Sequence, residues 1–252
     1  MRLLLLSDVH ANLEALEACL DAAPEYDAVA NLGDVVGYGA SPNRTVELLR
    51  AMDPINVRGN HDRCCCGLDD LSSFNPLAAE AALWTRRELS VGHIEWLREL
   101  PRGPLCDAEW EDVQFVHGSP LNEDTYIASE FAAMAALEVS PFHLTFFGHT
   151  HIQGAYLLER SSAKPAIATP VNNASRVQMT RLKLLEGRRY LVNPGSVGQP
   201  RDHDRRAAFA IYDTYKHEIH FCRVPYDIAR AQERILSAGL PKVLALRLDE
   251  GR

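Results

Sequence analysis

The sequence predicts an α/β fold, in which short buried strands alternate with helices. Five apolar runs each lead into a cluster of polar residues, a pattern typical of buried strands that reach the edge of a sheet. The runs are Leu3 to His10, Ala28 to Gly37, Ile55 to Asp62, Val113 to Ser119 and Leu144 to His151. Helical spacing of apolar residues separates the first three runs, and this alternation is typical of an α/β sheet.

The helices are predicted from apolar spacing and from residues that start or stop a helix. The first covers about residues 11–22, and the second begins at Ser41-Pro42 because proline is favoured at the first helical position. Helix-forming residues from Asn75 to Glu99 indicate two helices that divide near Gly92. A last amphipathic helix runs from about Tyr226 to Ala238 and stops at a glycine.

The second half of the chain has a mostly β texture, with strand-like segments after His151. These are Ala155 to Leu158, Tyr190 to Val192, Ala207 to Tyr212 and Glu218 to Val224. A chain of 252 residues, 46% of them apolar, suits one large core. We therefore expect a single domain over residues 1–252, with a helical insertion at about residues 64–103.

Composition restricts the location and the partners of the protein. No apolar run approaches the roughly 20 residues of a membrane-spanning helix, and the opening MRLLLL lacks a signal-peptide pattern, so we expect a cytoplasmic protein. The six cysteines include no repeated CxxC spacing, which argues against a disulfide framework or a structural zinc site. The formal charge of -8 disfavours an extended nucleic acid and favours a small phosphorylated substrate.

Every one of the five apolar runs ends in residues that bind divalent metals. These residues are Asp8, His10, Asp34, Asn60, His61, His117, His149 and His151. Functional groups of open α/β sheets gather outside the carboxyl ends of the strands, so we expect these side chains to share one cleft. A lone histidine or a single Asp-x-His is usually an ordinary structural residue, but the ordered set strongly favours a metal site.

The local spacing supports the same interpretation. In Asp8-Val9-His10 the period of two of a strand sends both polar side chains to one side, and the spacing recurs in His149-Thr150-His151. Gly33, Gly59 and Gly148 precede three of the clusters, where the chain must turn with little bulk beside a metal.

The ligand chemistry favours two ions of borderline hardness. Carboxylates, imidazoles and an amide oxygen without a thiolate suit Mn²⁺ first, with Fe, Ni²⁺ or Zn²⁺ as alternatives. Seven ligands exceed what one open centre uses, whereas a bridging carboxylate lets two ions about 3.5 to 4 Å apart share them.

The sequence resembles the calcineurin-like metallophosphoesterases, in particular their small bacterial and archaeal branch. The blocks that carry the resemblance are Asp8-Val9-His10, Gly33-Asp34, Gly59-Asn60-His61-Asp62, His117, Gly148-His149-Thr150-His151 and the later segment Asn193 to Gly198. The resemblance implies a four-layer αββα sandwich, in which two mixed sheets are flanked by helices and the metal site lies at the strand ends.

The resemblance also implies a role for each matching residue. Asp8, His10 and His151 would hold one ion, Asn60, His117 and His149 the other, and Asp34 would bridge them. His61 would be the catalytic histidine, which stabilises charge or protonates the leaving oxygen, and Asp62 would orient its ring. The implied reaction is hydrolysis of a phosphomonoester, a phosphodiester or a dinucleoside polyphosphate by water activated at the two metals.

Two alternative functions and several weaker candidates remain open at this point. A nuclease acting on short nucleic acid would keep the chemistry, and a scaffold of the same fold would have lost it. Arg201, Tyr38 and Asn12 are weak candidates for substrate contacts, with ion pairing, packing and helix capping as the simpler explanations. The cysteines at 64–66 are loop residues, a redox switch or an accidental metal trap. The oligomeric state cannot be read from the sequence.

Overall fold

The computed structural model describes residues 1–159, 162–166, 169–171 and 177–252. The strands are β1 (Arg2–Leu6), β2 (Ala28–Asn31), β3 (Ile55–Asn56), β4 (Val113–Phe115), β5 (Leu144–Phe146), β6 (Gly154–Glu159), β7 (Ser162–Pro165), β8 (Thr169–Val171), β9 (Gln178–Lys183), β10 (Arg189–Asn193), β11 (Ala207–Asp213) and β12 (Glu218–Val224). The helices are α1 (Leu13–Ala22), α2 (Pro42–Ala51), α3 (Asn60–Cys65), α4 (Pro76–Glu88), α5 (Val91–Glu99), α6 (Glu130–Val139), α7 (Ile228–Ser237) and α8 (Lys242–Glu250).

Two mixed sheets pack face to face. One sheet has the strand order β3-β2-β1-β11-β12-β9-β8, and the other has the order β4-β5-β10-β6-β7. Helices cover both outer faces, so the predicted four-layer αββα architecture is confirmed.

The alternation of side chains along β1 explains why this strand lies at the centre. Leu3 and Leu5 belong to the core between the two sheets, together with Phe146 of the other sheet. Leu4 and Leu6 point the opposite way, into the core beneath the flanking helices. All four leucines are fully buried, and each contributes roughly 1.5 to 3 kcal/mol of burial free energy.

The helices form the outer layers by burying their apolar faces against the sheets. Leu16 of α1, Leu49 of α2 and Leu97 of α5 join the core that covers the larger sheet. On the other side, Ala136 of α6 packs with Leu191 of β10. No helix in the described part of the chain is long and apolar enough to cross a membrane.

Parallel pairing brings the ends of the first strands to one edge. β1, β2 and β3 run parallel, with Leu6 opposite Asn31 and Asn31 opposite Asn56. In the other sheet β4, β5 and β10 run parallel, with Phe146 opposite both Phe115 and Val192. The polar clusters that follow these strands therefore emerge beside one another.

The structure corrects four details of the predicted elements. The run Ile55 to Asp62 is not one strand, because β3 ends at Asn56 and helix α3 begins at Asn60. The helices α4 and α5 divide at Leu89 and Ser90 rather than at Gly92, because the Ser90 side chain accepts a hydrogen bond from the His93 amide and starts α5. Helix α6 was not predicted, although Ser129 caps it in the same way. Helix α8 was also missed, because the glycine after α7 indicated the end of the helical region. The insertion predicted at about residues 64–103 contains α4 and α5.

Candidate metal centre

The structure brings the predicted metal-binding side chains together in two buried groups. Asp8, His10, Asp34 and His151 form the first group, and Asp34, His117 and His149 form the second. Within each group the ligand atoms lie within 4.8 Å of one another. Asn60 joins the second group, since its Oδ1 lies 3.2 Å from His117 Nε2.

Asp34 is the residue common to both groups. Its Oδ2 lies 3.6 Å from His10 Nε2 and 3.5 Å from His117 Nε2. Its Oδ1 accepts a hydrogen bond of 2.8 Å from the His61 amide. One oxygen of this carboxylate therefore faces both groups, while the other is fixed by the backbone.

The backbone reaches this arrangement by left-handed turns and not by strand pleating. Asp8, His10, Asp34, His149 and His151 all have positive φ angles, between 49° and 65°, and lie beyond the last residues of their strands. The expectation that a strand's period of two aligns Asp8 with His10 is therefore wrong. Each such conformation in a residue other than glycine costs of order 1 to 3 kcal/mol and persists only where the surroundings enforce it.

Backbone hydrogen bonds enforce these turns. The Asp8 amide donates to Gly33 O and the His10 amide to Asp34 O, both at 2.9 Å. The His149 amide donates to the Asp8 carboxylate, 3.1 Å from Oδ2. Each left-handed turn that follows a strand is therefore held by hydrogen bonds to a turn that follows another strand.

Two of the predicted glycines are required by close approach. A Cβ at Gly59 would collide with the carboxylate and amide of Asp34. A Cβ at Gly148 would collide with Ser7 Oγ, which itself donates to the Asp8 carboxylate at 2.7 Å. Both positions therefore exclude any larger residue.

The geometry of the pair His10 and His151 fits a shared cation. His10 Nδ1 lies 3.1 Å from Val36 O and His151 Nδ1 lies 2.6 Å from Gln199 O. A carbonyl oxygen only accepts, so each Nδ1 must carry the proton. Burial lowers the pKa of both rings well below the usual value, which keeps them neutral. The two Nε2 lone pairs then face each other at 3.1 Å, an arrangement that a shared cation relieves.

The second pair, His117 and His149, has a related geometry. His117 Nδ1 donates to Leu32 O at 2.7 Å, His149 Nε2 donates to Asp124 O at 3.2 Å, and the remaining nitrogens are 3.1 Å apart. Burial opposes protonation of His117, but Asp34 outweighs it and raises the pKa of His117 to about 10. Either a proton or a metal ion on His117 Nε2 satisfies this pair. The residues of both groups thus fit divalent cations.

Comparison with known proteins identifies the family. Residues 1–217 match the model of the calcineurin-like phosphoesterase superfamily domain. The chain belongs to this superfamily. Membership assigns the protein to the hydrolases that act on phosphate esters.

The similarity to individual proteins extends over nearly the whole chain. A crystal structure of a metallophosphoesterase from Sphaerobacter thermophilus is 38% identical, covers 100% of this chain and 99% of its own, and has a TM-score of 0.83. An uncharacterized protein of Methanocaldococcus jannaschii is 35% identical over 98% of this chain and 97% of its own length. A hypothetical protein from Pyrococcus horikoshii shares the fold, with a TM-score of 0.75 at 21% identity over 100% of this chain and 98% of its own.

His61, the candidate catalytic histidine of this phosphoesterase, lies beside the first group. Its ring centroid is 4.9 Å from that of His10, 4.4 Å from that of Tyr38 and 4.5 Å from that of Phe74. Its Nδ1 is buried and has no hydrogen-bond partner in the described part of the chain. Burial lowers the pKa of His61 to about 4, although Asp34 acts in the opposite direction.

Asp62 does not make the contact with the His61 ring that we expected. Its carboxylate instead accepts hydrogen bonds from the amides of Asp34 at 2.8 Å, Gly59 at 3.1 Å and Val36 at 3.2 Å. These amides belong to two different loops, so Asp62 holds together the backbone that carries Asp34 and His61. Burial raises the pKa of Asp62 to about 7.

An ion-pair network supports the second group from outside. Arg63 forms ion pairs with Glu123, Asp124 and Asp69. Because Asp124 also supplies the carbonyl that accepts from His149, the network fixes the ring of that histidine.

The weaker candidates divide between the site and the scaffold. Tyr38 and Arg201 lie at the site, since the Tyr38 ring contacts His10 and the Arg201 amide donates to His151 O at 3.2 Å. Asn12 caps α1 by accepting from the Ala15 amide and donates to Gly198 O at 2.8 Å, which is the simpler role allowed by the sequence.

The cysteines at 64–66 are buried, and burial raises the pKa of each of their thiols, to about 11 for Cys64. A raised pKa disfavours the reactive thiolate. The structure therefore gives no support to a redox switch at these residues.

Two residues near the site escaped the sequence analysis. Tyr126 stacks on His149, with ring centroids 3.8 Å apart and planes 20° apart. Arg247 lies over the Tyr38 ring from helix α8, 5.8 Å from its centroid. Tyr126 lies in a loop and Arg247 in a helix that was not predicted, so neither stood next to a recognisable motif.

The close approach at Gly59 can be tested by substitution. We expect Gly59→Ala to lower the free energy of unfolding by about 1 to 3 kcal/mol, because the added methyl displaces Asp34. Gly92→Ala is the matched control: an added Cβ there meets nothing within 4 Å, so replacing this helical glycine raises the free energy by about 0.5 kcal/mol. Denaturant unfolding measures both. Equal, small effects of the two substitutions would contradict the proposed packing.

Proposed function

We propose that this protein uses two divalent metal ions to hydrolyse a small phosphorylated substrate. The candidate bonds are those of a phosphomonoester, a phosphodiester or a dinucleoside polyphosphate. The observation that supports this proposal is the meeting of two buried groups of metal-binding side chains at the single carboxylate of Asp34.

The two groups define the proposed ligands. Asp8, His10 and His151 would hold one ion, Asn60, His117 and His149 would hold the other, and Asp34 would contribute to both. The set contains no thiolate, so Mn²⁺ is the preferred ion, with Fe, Ni²⁺ or Zn²⁺ as alternatives. When bound, such a metal pair neutralises phosphoryl oxygens and lowers the pKa of water, which then serves as the nucleophile.

The surrounding residues position and complement the substrate. His61 lies at the edge of the first group, where its imidazole stabilises charge or donates a proton to the leaving oxygen. The guanidinium of Arg201 binds a phosphoryl oxygen. This residue lies close to the first group, because its amide donates to His151 O and its side chain lies over the Tyr38 ring. Asp62 maintains the backbone on which both Asp34 and His61 depend.

Metal binding can be measured directly. We expect the purified protein to bind about two Mn²⁺ ions per chain, and His151→Ala to bind about one. Saturating metal stabilises only the folded state, so Mn²⁺ added to chelator-treated protein raises Tm by about 5 to 10 °C. Elemental analysis and thermal unfolding provide the two readouts.

A matched control separates the site from histidines in general. His93 lies on α5, where its ring contacts the Asn43 side chain and no residue of the two groups. We expect His93→Ala to bind the same number of ions as the unaltered protein. A stoichiometry of one in the unaltered protein would contradict the dinuclear proposal.

The role of His61 predicts a separation between metal content and turnover. We expect His61→Ala to retain both ions and to lower kcat by about 10² to 10⁴-fold, the usual contribution of a general acid or a positioned donor. Hydrolysis of bis(p-nitrophenyl) phosphate and of p-nitrophenyl phosphate measures kcat, and His93→Ala again serves as the control. Unchanged kcat in His61→Ala would remove the catalytic assignment.

The charge of the protein predicts its choice between small and polymeric substrates. With a net charge of -8, the protein repels a long phosphate backbone, so we expect kcat/KM for nucleotides and dinucleoside polyphosphates to exceed that for short single-stranded DNA. Faster cleavage of DNA would favour a nuclease. Binding of both metals without hydrolysis of any substrate would favour a scaffold of the same fold.

A further inference from the structure

Two arginines from separate parts of the chain meet at one aromatic ring. The Cζ atoms of Arg201 and Arg247 each lie 5.8 Å from the centroid of the Tyr38 ring, within the range of a cation–π interaction. Tyr38 is itself buried against His10 and His61, with ring centroids 4.8 and 4.4 Å away. Two positive charges therefore lie next to the first metal-binding group.

Neither guanidinium forms an ion pair with an aspartate or glutamate side chain in the described residues. Arg201 donates to the side-chain oxygen of Gln199 at 3.0 Å, and Arg247 Nε donates to O of Arg252, the last residue of the sequence, at 2.6 Å. The two acids at the end of α8 pair elsewhere, Asp249 with Arg205 and Glu250 with Arg252. Arg201 Nε is buried and has no hydrogen-bond partner in the described part of the chain.

The two arginines are held in fixed positions relative to each other. The loop that carries Arg201 is joined to the end of α8 by a hydrogen bond of 3.0 Å from the His203 amide to Gly251 O. Helix α8 is anchored by Leu244 and Leu248, which share a buried cluster with Tyr38. A cationic pair that is already ordered binds an anion at a low entropic cost.

This pair is more than one phosphoryl group requires. The two metal ions of the proposed function would, when bound, neutralise the phosphoryl group that reacts. Cation–π contacts at exposed sites contribute only about 0.5 to 1 kcal/mol each. In a protein of net charge -8, two half-buried guanidiniums that pair with no aspartate or glutamate in the described residues are complementary to a further anionic group on the substrate.

We propose that Arg201 and Arg247 together bind a second phosphoryl group of the substrate, adjacent to the one attacked, so that the preferred substrate contains a phosphoanhydride. This inference rests on the proposed hydrolase function and narrows its substrate class to molecules such as nucleoside diphosphates and dinucleoside polyphosphates. Arg247 lies in α8, outside the residues 1–217 matched by the family model, so the family match does not account for it.

The reaction consumes one water and one anhydride bond. The water oxygen bonds to the attacked phosphorus, and the bond from that phosphorus to the bridging oxygen breaks with its electron pair on the bridging oxygen. The bridging oxygen leaves with the second phosphoryl group, which the two arginines hold. The proton lost by water goes to solvent or to the leaving oxygen.

The test compares substrates that differ in the second phosphoryl group. The specificity ratio is kcat/KM for ADP or diadenosine tetraphosphate divided by kcat/KM for bis(p-nitrophenyl) phosphate, which has one phosphoryl group. We expect Arg247→Gln to lower this ratio by about 10 to 100-fold, because a charge-assisted hydrogen bond is lost. Arg247→Lys keeps a positive charge, and we expect its ratio to fall by less than that of Arg247→Gln.

Arg205→Ala is the matched control, because it removes an exposed arginine that also contacts α8 through Asp249. We expect it to leave the specificity ratio unchanged. A binding measurement accompanies the kinetics: methylenediphosphonate, which is not hydrolysed, should raise the Tm of the Mn²⁺-loaded protein more than methylphosphonate does. We expect Arg247→Gln to reduce this difference.

The outcomes separate this inference from the function on which it rests. If the unaltered protein hydrolyses these substrates and Arg247→Gln and Arg201→Gln both keep its specificity ratio, the second phosphoryl site is wrong while the hydrolase function stands. If the unaltered protein binds metal and hydrolyses no substrate, the proposed function fails first. If Arg247→Gln unfolds, Arg247→Lys takes its place. A specificity ratio of Arg247→Lys below that of Arg205→Ala then supports the second phosphoryl site, and an equal ratio overturns it.

Discussion

The rest of this structure depends on one constraint. Several side-chain nitrogen and oxygen atoms point their lone pairs toward one another at a buried site. Neutral imidazole nitrogens that face each other 3.1 Å apart repel unless a positive charge lies between or beside them. The protein holds them there by using the second nitrogen of each ring as a donor to a backbone carbonyl. Ring orientation is therefore decided by the surrounding loops and not by the ligand atoms themselves.

The loops achieve this at a local conformational cost. Left-handed backbone at five aspartates and histidines is unfavourable in isolation, and it is tolerated because each turn is hydrogen-bonded to the next strand end. The close approaches at Gly59 and Gly148 belong to the same arrangement. The backbone around the candidate metal site is therefore held in place, because no turn can relax without displacing the turn to which it is hydrogen-bonded.

The gross features of the protein were readable from its sequence, and the reasons are physical. Parallel strands end at one edge, so polar residues after five buried runs had to converge whatever the details of the loops. The details were not readable, because a strand pleat and a left-handed turn both place Asp8 and His10 on one side. Contacts such as Tyr126 with His149 depend on loops far apart in the chain, and no local spacing indicates them.

The candidate metal ligands and the arginines at Tyr38 come from different parts of the chain. The metal-binding groups come from strand ends within the first 151 residues. The arginines at Tyr38 come from a loop near residue 201 and from a helix near the end of the chain. The proposed chemistry and the proposed selectivity therefore depend on different segments of the chain.

The position of Asp62 has a consequence for the interpretation of mutants. Its carboxylate accepts hydrogen bonds from the amides of Asp34, Val36 and Gly59. Asp62 therefore connects two loops. Replacing it would shift the shared carboxylate and the neighbouring imidazole at once. Inactivity of such a mutant would therefore report a displaced scaffold, and would be no evidence for a proton relay between residues 61 and 62.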